Sequence, residues 1–230
     1  MIICLDAGHT PNIDPGAVGN GLQEAALTGD ICEMVATKLS AYDADVRLVP
    51  RTDSLQERCD YANGIGANGF VSVHVNASGS GRGTGFESYL YPSMEDKAVF
   101  LSDALHKACM EYLAPLGIAD RGKKFAAFKV LKNTAMPAVL LECLFIDSPI
   151  DAAWLKKDGF LDGLSNAIAW GIVQAYELKL KAPDVTVEAI RALQAKGVIS
   201  SPEYWIANAV PGGICKGEYV AGLIRNFAKE

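Results

Sequence analysis

The 230-residue chain has no cysteine pair spaced as C-x-x-C: its six cysteines, Cys4, Cys32, Cys59, Cys109, Cys143 and Cys215, stand singly. That spacing argues against a disulfide framework or a cysteine-ligated zinc site and for buried free thiols, as in a protein made in a reducing cytoplasm. No apolar run reaches the roughly 18 to 20 residues of a membrane span. The most apolar stretch, 138–146, is short and carries Glu142. The N-terminus lacks a basic region followed by an apolar one, because the first apolar run begins at Ile2, so no secretory leader is expected. Blocks of lysine and arginine are also missing. With a formal charge of −6, a general electrostatic grip on nucleic acid or on an anionic membrane is not expected. There is no compact H-E-x-x-H, no internal repeat and no low-complexity tract, and histidine is scarce, at three residues.

What is present is apolar material for a core: half the residues are hydrophobic, enough for one sizeable domain with a small appendage. Short apolar runs predict strands at 2–5, 46–49, 70–75, 86–91, 128–131 and 138–143. Apolar residues at three- and four-residue spacing predict helices at 22–42, 55–63 and 98–113, with a helical region from 147 to 180 broken around Asp158-Gly159. The alternation predicts an α/β fold. Residues 120–124, DRGKK, read as a charged loop, and 78–85, almost wholly Gly, Ser and Thr, as a loop without contacts of its own to hold it. Lys181-Ala182-Pro183-Asp184 marks a boundary, giving a domain at 1–180 and a tail at 184–230. The tail has amphipathic helices at 187–195 and 219–227, and about 45 residues are too few for a self-sufficient core, so these should pack on other protein surface.

Three of the apolar runs share a layout, each ending in a polar group. The first ends in Asp6-Ala7-Gly8-His9, the third carries His74 and Asn76, and the run at 138–143 carries Glu142. In open α/β sheets the crevice beyond the carboxyl ends of the strands is where ligands bind. A single histidine there has an ordinary structural reading, a ring satisfied by local hydrogen bonds. Two together point to metal, since a catalytic zinc takes three ligands from His, Asp or Glu and leaves a fourth position for water. His9 and His74 supply two, and a carboxylate near the start of the first helix is the natural third. His106, mid-helix with no polar partner in view, reads as a surface residue. Glu142, flanked by Leu140, Leu141, Cys143 and Leu144, is costly to bury unless it is paired or used.

The segments LDAGHTP, GLQEAALT, RTDSLQERCDYANGIGANGFVSVHVNA, GFESYLY and FKVLKNTAMPAVLLECLFID, in that order, resemble the zinc-dependent N-acetylmuramoyl-L-alanine amidases of bacterial autolysins and phage endolysins. The resemblance covers about residues 2–178 and stops short of the tail. It implies a twisted mixed, mainly parallel sheet flanked by helices on both faces, with the tail as a helical appendage. It also implies one Zn2+ held by His9, Glu24 and His74, and Glu142 as catalytic base in cleaving the amide between N-acetylmuramic acid and L-alanine of bacterial peptidoglycan. Asn76 is a candidate for hydrogen bonding the stem peptide, and Asp6 or another nearby acceptor for orienting a zinc histidine. Two departures stand out: Thr10-Pro11 where many relatives have two glycines, and Glu142-Cys143-Leu144-Phe145 where many have Glu-Leu-Gly-Phe.

Rival readings keep the metal and move the bond, as in a zinc carboxypeptidase or endopeptidase acting within the stem peptide, or make the chain a non-catalytic wall-binding module. The tail suits wall recognition or self-association. The missing leader and single thiols fit a phage endolysin released through a membrane lesion opened by another protein, and a truncated secreted autolysin fits as well.

Overall fold

A computed structural model of the chain describes residues 1–92, 96–181, 184–208 and 217–227. The chain divides into two compact units, one of residues 1–40 and 44–178, the other of 41–43 and 179–230.

The first unit is built on a six-stranded sheet. In chain order its strands are β1 (Ile2–Ala7), β4 (Asp45–Leu48), β5 (Gly69–Asn76), β6 (Phe86–Leu90), β7 (Asp120–Phe125) and β8 (Ala138–Phe145). A two-stranded hairpin, β2 (Val18–Gly19) and β3 (Leu22–Gln23), precedes β4. The sheet order is β4-β1-β5-β8-β6-β7. All neighbours run parallel except β6 and β8, so the sheet is mixed and mainly parallel. Helices α1 (Glu24–Leu39), α3 (Asp96–Leu113) and α6 (Phe160–Tyr176) pack together and against the sheet. Helices α2 (Leu55–Gly64) and α4 (Lys129–Lys132) lie on the other face, where Cys59, Ala62, Val130 and Leu131 form a cluster with Cys4, Phe70 and Leu140. Parallel strands covered on both faces must be apolar nearly throughout, and β1, β5 and β8 are. The free thiols Cys4, Cys32, Cys59, Cys109 and Cys143 are buried. Cys215 lies outside the described residues.

Two local expectations change, and a third, the helix break, holds. The charged segment 120–124 is not a loop but edge strand β7, whose alternating exposure lets its charges face solvent. The run at 128–131 is not a strand but the single helical turn α4, entered from an extended Phe128. The break at Asp158-Gly159 separates α5 (Pro149–Leu155) from α6, with Gly159 at φ 77 as the hinge that a side chain would strain.

The second unit carries α7 (Asp184–Ala195), α8 (Pro202–Asn208) and α9 (Gly217–Phe227). Instead of relying wholly on outside surface, it has a small core of Ile190, Val198, Ile199 and Trp205, packed by Tyr204, Tyr219 and Leu223. The turn-like Ser200-Ser201-Pro202 hides α8 in the sequence, yet proline suits a first helical position, where no N–H bond is needed. Among the described residues of the chain, no helix is long and apolar enough to cross a membrane.

Candidate metal centre and active site

The polar strand ends converge. β1 and β5 are adjacent and parallel, as are β5 and β8, with His74 in register with Glu142. Beyond β1 the chain enters a tight loop in which Thr10 and Asp14 exchange backbone bonds, then returns through the β2–β3 hairpin to start α1 at Glu24. A carboxylate on the first residue of a helix sits at the positive end of its dipole, where burial is tolerated, and Glu24 is 4% exposed.

His9, Glu24 and His74 each offer a ligand atom, all within 4.8 Å of one another. Glu24 Oε2 lies 3.2 Å from His9 Nε2 and Oε1 lies 3.0 Å from His74 Nδ1. Bonds of about 2.1 Å on a tetrahedron separate neighbouring ligand atoms by about 3.4 Å, so this spacing suits a shared small cation such as zinc. The donors, two imidazoles and one carboxylate, are the set a catalytic zinc takes. Backbone crowding supports the fit. A Cβ at Gly8 would meet the His74 imidazole at 2.5 Å, and one at Gly16, whose φ is +67°, would meet His9 at 2.6 Å and Glu24 at 2.7 Å.

Further contacts fix the donors. Backbone N–H groups of Ala17 and Val75 donate to the two Glu24 oxygens. Asp14 Oδ2 lies 2.7 Å from His9 Nδ1, fixing that ring and leaving Nε2 toward Glu24. This acceptor is not Asp6. Asp6, buried at 1%, accepts instead from Ser72 and from Arg58 Nη1. Arg58 also donates to the carbonyls of Ala7, His9 and Thr52, and Arg51 donates to those of Gly8, His9 and Ala25. Two guanidinium groups therefore clamp the backbone of His9, which is held at φ 63, a conformation that costs a non-glycine residue about 1–2 kcal/mol.

Hydrogen bonding to Glu24 raises the His9 pKa to about 9, against the pull of burial and with help from Asp14. Burial opposes ionisation of Glu24, but the hydrogen bonds with His74 and His9 outweigh it and hold the carboxyl well below its ordinary range. Glu142 is the contrary case. Burial pushes its carboxyl up to about 7, with His74 opposing and Glu24 and Glu87 adding to the shift. Its Oε2 is buried without a hydrogen-bond partner among the described residues. Glu142, His9 and His74 line a cleft of about 410 Å³ with Leu55, Phe128 and Lys129. A larger cavity, about 780 Å³, is lined by Met1, Ala67, Pro137 and Tyr176 near the opposite strand ends and gathers no comparable acid or imidazole cluster.

Asn76 follows His74 on β5, but its amide is engaged: Nδ2 donates to Glu87 Oε1 at 2.8 Å, and Oδ1 accepts from Ala77 N. The Gly/Ser-rich loop at 78–85 is pinned from outside. Asp147 accepts from Ser78 N and Gly81 N, and Asp151 accepts from Gly85 N and Phe145 N. His106 is not a surface residue: it is 8% exposed and bridges Ser88 Oγ and Asp120 Oδ1. Helical periodicity places His106 only on a helix; its partners come from two strands the sequence does not link to it.

Residues 3–174 match the N-acetylmuramoyl-L-alanine amidase family. The chain belongs to that family. The amidase is 43% identical over 182 residues to the sporulation-specific N-acetylmuramoyl-L-alanine amidase of Bacillus subtilis (strain 168), covering 77% of this chain and 69% of the relative. It is 41% identical over 191 residues to the endolysin of Bacillus phage SPP1, covering 79% and 68%. Among solved structures it resembles the catalytic domain of CwlV, an N-acetylmuramoyl-L-alanine amidase from Bacillus (Paenibacillus) polymyxa var. colistinus, with a TM-score of 0.69 at 31% identity over 77% of this chain and 99% of the other. An N-acetylmuramoyl-L-alanine amidase from Clostridium difficile 630 gives a TM-score of 0.72 at 28% identity, covering 76% and 96%.

Proposed function

We propose that the amidase hydrolyses the bond between the lactyl group of N-acetylmuramic acid and L-alanine in bacterial peptidoglycan, with zinc held by His9, Glu24 and His74 and with Glu142 as general base. Family membership supports the bond. One observation carries the residue assignment: three donor atoms converge beside a carboxylate that has an unbonded oxygen.

When bound, zinc would lower the pKa of a coordinated water to about 7 and polarise the scissile carbonyl. The chain's own groups do the rest. Glu24 brings the single negative charge of the donor set, so its field only partly neutralises a divalent ion. Asp14 holds the His9 ring through Nδ1, and the Arg51 and Arg58 clamp holds its backbone. Glu142 takes a proton from the attacking water and returns it to the amine of the departing alanine. Leu140 walls the same cleft. The wall is the place of action because the substrate is there. The tail unit, with its own aromatic core, is assigned to wall recognition or self-association. Sedimentation and wall pull-down with and without residues 184–230 separate those two roles.

The test couples metal analysis to product analysis. The parent should hold one zinc per chain, lose lysis with chelator, and release peptides with a new alanine N-terminus and intact glycan. Glu142→Gln should retain the zinc and lose about 10²- to 10⁴-fold in rate. Peptides cut within the stem would make the enzyme a peptidase. A Glu142→Gln protein that lyses walls as fast as the parent would remove Glu142 as base.

A further inference from the structure

We propose that Arg121 and Lys124 form a subsite for a carboxylate on the stem peptide, on the side of Glu142 away from His74. Register places the parts. His74 of β5 lies opposite Glu142 of β8, Glu142 lies opposite Glu87 of β6, and Tyr89, two residues on from Glu87, lies opposite Lys124 of β7. Side chains opposite one another on neighbouring strands project from the same face. The imidazole, the base, Glu87 and the cations therefore follow one another across four strands.

Glu87 is sealed and saturated. Its side chain is 2% exposed; Oε1 accepts from Asn76 Nδ2 and Tyr89 OH, each at 2.8 Å, and Oε2 accepts from Arg121 Nε at 2.7 Å and from Lys124 Nζ. Among hydrogen-bonded partners one carboxylate thus faces two cations, with buried Asp151 also within electrostatic reach of Arg121. The cations are the accessible part, because the Arg121 and Lys124 side chains are each 36% exposed while Glu87 is enclosed. Arg121 uses Nε on Glu87 and Nη1 on the Thr84 carbonyl, with its guanidinium 4.7 Å from the Phe145 ring centre. Nη2 has no hydrogen-bond partner among the described residues. Held flat and partly open, the guanidinium keeps N–H groups for a planar acid.

Substrate chemistry selects the occupant, and this step rests on the amidase reading. Before cleavage the lactyl carboxyl is tied up in the scissile amide, so the sugar half carries no ionised group there. The peptide beyond L-alanine does, on its acidic second residue. A cationic subsite beside the base therefore reads the peptide.

The experiment uses the full chain stripped of metal and titrates it calorimetrically with N-acetylmuramoyl-L-alanyl-D-glutamine, whose one carboxylate is the α-carboxylate, and with its α-amide, which has none. The parent should bind the acid about tenfold more tightly than the amide, the scale of one charge-assisted contact. Arg121→Gln and Lys124→Gln should each reduce that ratio to about threefold or less. A purely structural role in neutralising Glu87 would weaken both ligands together and leave the ratio unchanged, which overturns the proposal, as does equal affinity in the parent. In the metal-loaded parent the same preference should appear in KM with kcat little changed. Failure to cleave either compound would count against the hydrolysis reading, while the binding ratio is read without turnover.

Discussion

His9, Glu24 and His74 gather at the ends of β1, α1 and β5, while His106 of α3 lies between Ser88 of β6 and Asp120 of β7. In both groups imidazole nitrogens stand within 3.2 Å of oxygens. By residue type the His106 group is the better imitation of a catalytic device, because serine, histidine and aspartate are aligned in one chain of hydrogen bonds. Yet Ser88 is wholly buried, and each polar atom in the row is spent on its neighbour. At the His9 cluster three donors point at one another and the adjacent Glu142 keeps an unbonded oxygen in a cleft. Residue identity does not separate a site from a strut. What separates them is bonding capacity left over where a ligand can reach it.

The sharpest way to break that contrast is to remove the shared carboxylate. Glu24→Gln should abolish stoichiometric zinc binding and lower lysis by at least about a thousandfold, since metal polarisation is worth several kcal/mol in the transition state. Zinc at 100 times its Kd should stabilise the parent by about 2.7 kcal/mol, and should not raise the melting temperature of the variant. A Glu24→Gln protein that still takes up one zinc per chain would show that the donors do not act together.

Arg58 marks the border between the two kinds of group, since it is buried and saturated but holds the backbone of His9, a proposed zinc ligand, in place. Arg58→Met leaves Asp6 charged in the interior, with the carbonyls of Ala7 and His9 unmet on that side. We expect a loss of about 3–5 kcal/mol in urea unfolding and a fall of about 10- to 100-fold in zinc affinity of the folded fraction. Loss of stability with unchanged zinc affinity would make Arg58 a strut like His106.

These cases show what the sequence discloses. An apolar run that stops at His9, and apolar runs interrupted by His74 and Glu142, announce groups delivered to a sheet edge, because period and burial are local properties of the chain. Glu24 is visible only as an acid in a helix's first turn; its role came with the family resemblance. Asp14, Arg51 and Arg58 carry no local mark. Their bonds to His9 span 5, 42 and 49 residues, and charged residues in a loop or an amphipathic helix have an ordinary solvent-facing reading. Edge strand β7 was hidden for the same reason, its charges being those of a loop. Leu144 is a different lesson. The family resemblance puts a glycine here, whereas Leu144 is held at φ 72 and is wholly buried, so packing at this position compensates a backbone conformation that glycine adopts without strain.

The smallest predicted effect tests the inert half of the contrast. His106→Gln keeps a polar side chain of similar reach but cannot meet Ser88 Oγ and Asp120 Oδ1 with the geometry of a ring. The cost should be about 1–2 kcal/mol in urea unfolding, the scale of one or two net hydrogen bonds. Zinc content and lysis rate should match the parent, because Ser88 points away from the face that carries Glu142: its register partner is Leu141, one residue out of phase with Glu142. If His106→Gln lowered lysis by more than about tenfold at full zinc occupancy, the opposite face of the sheet would have to be coupled to the active site. The rule that spent hydrogen bonds mark structure would then fail in this protein.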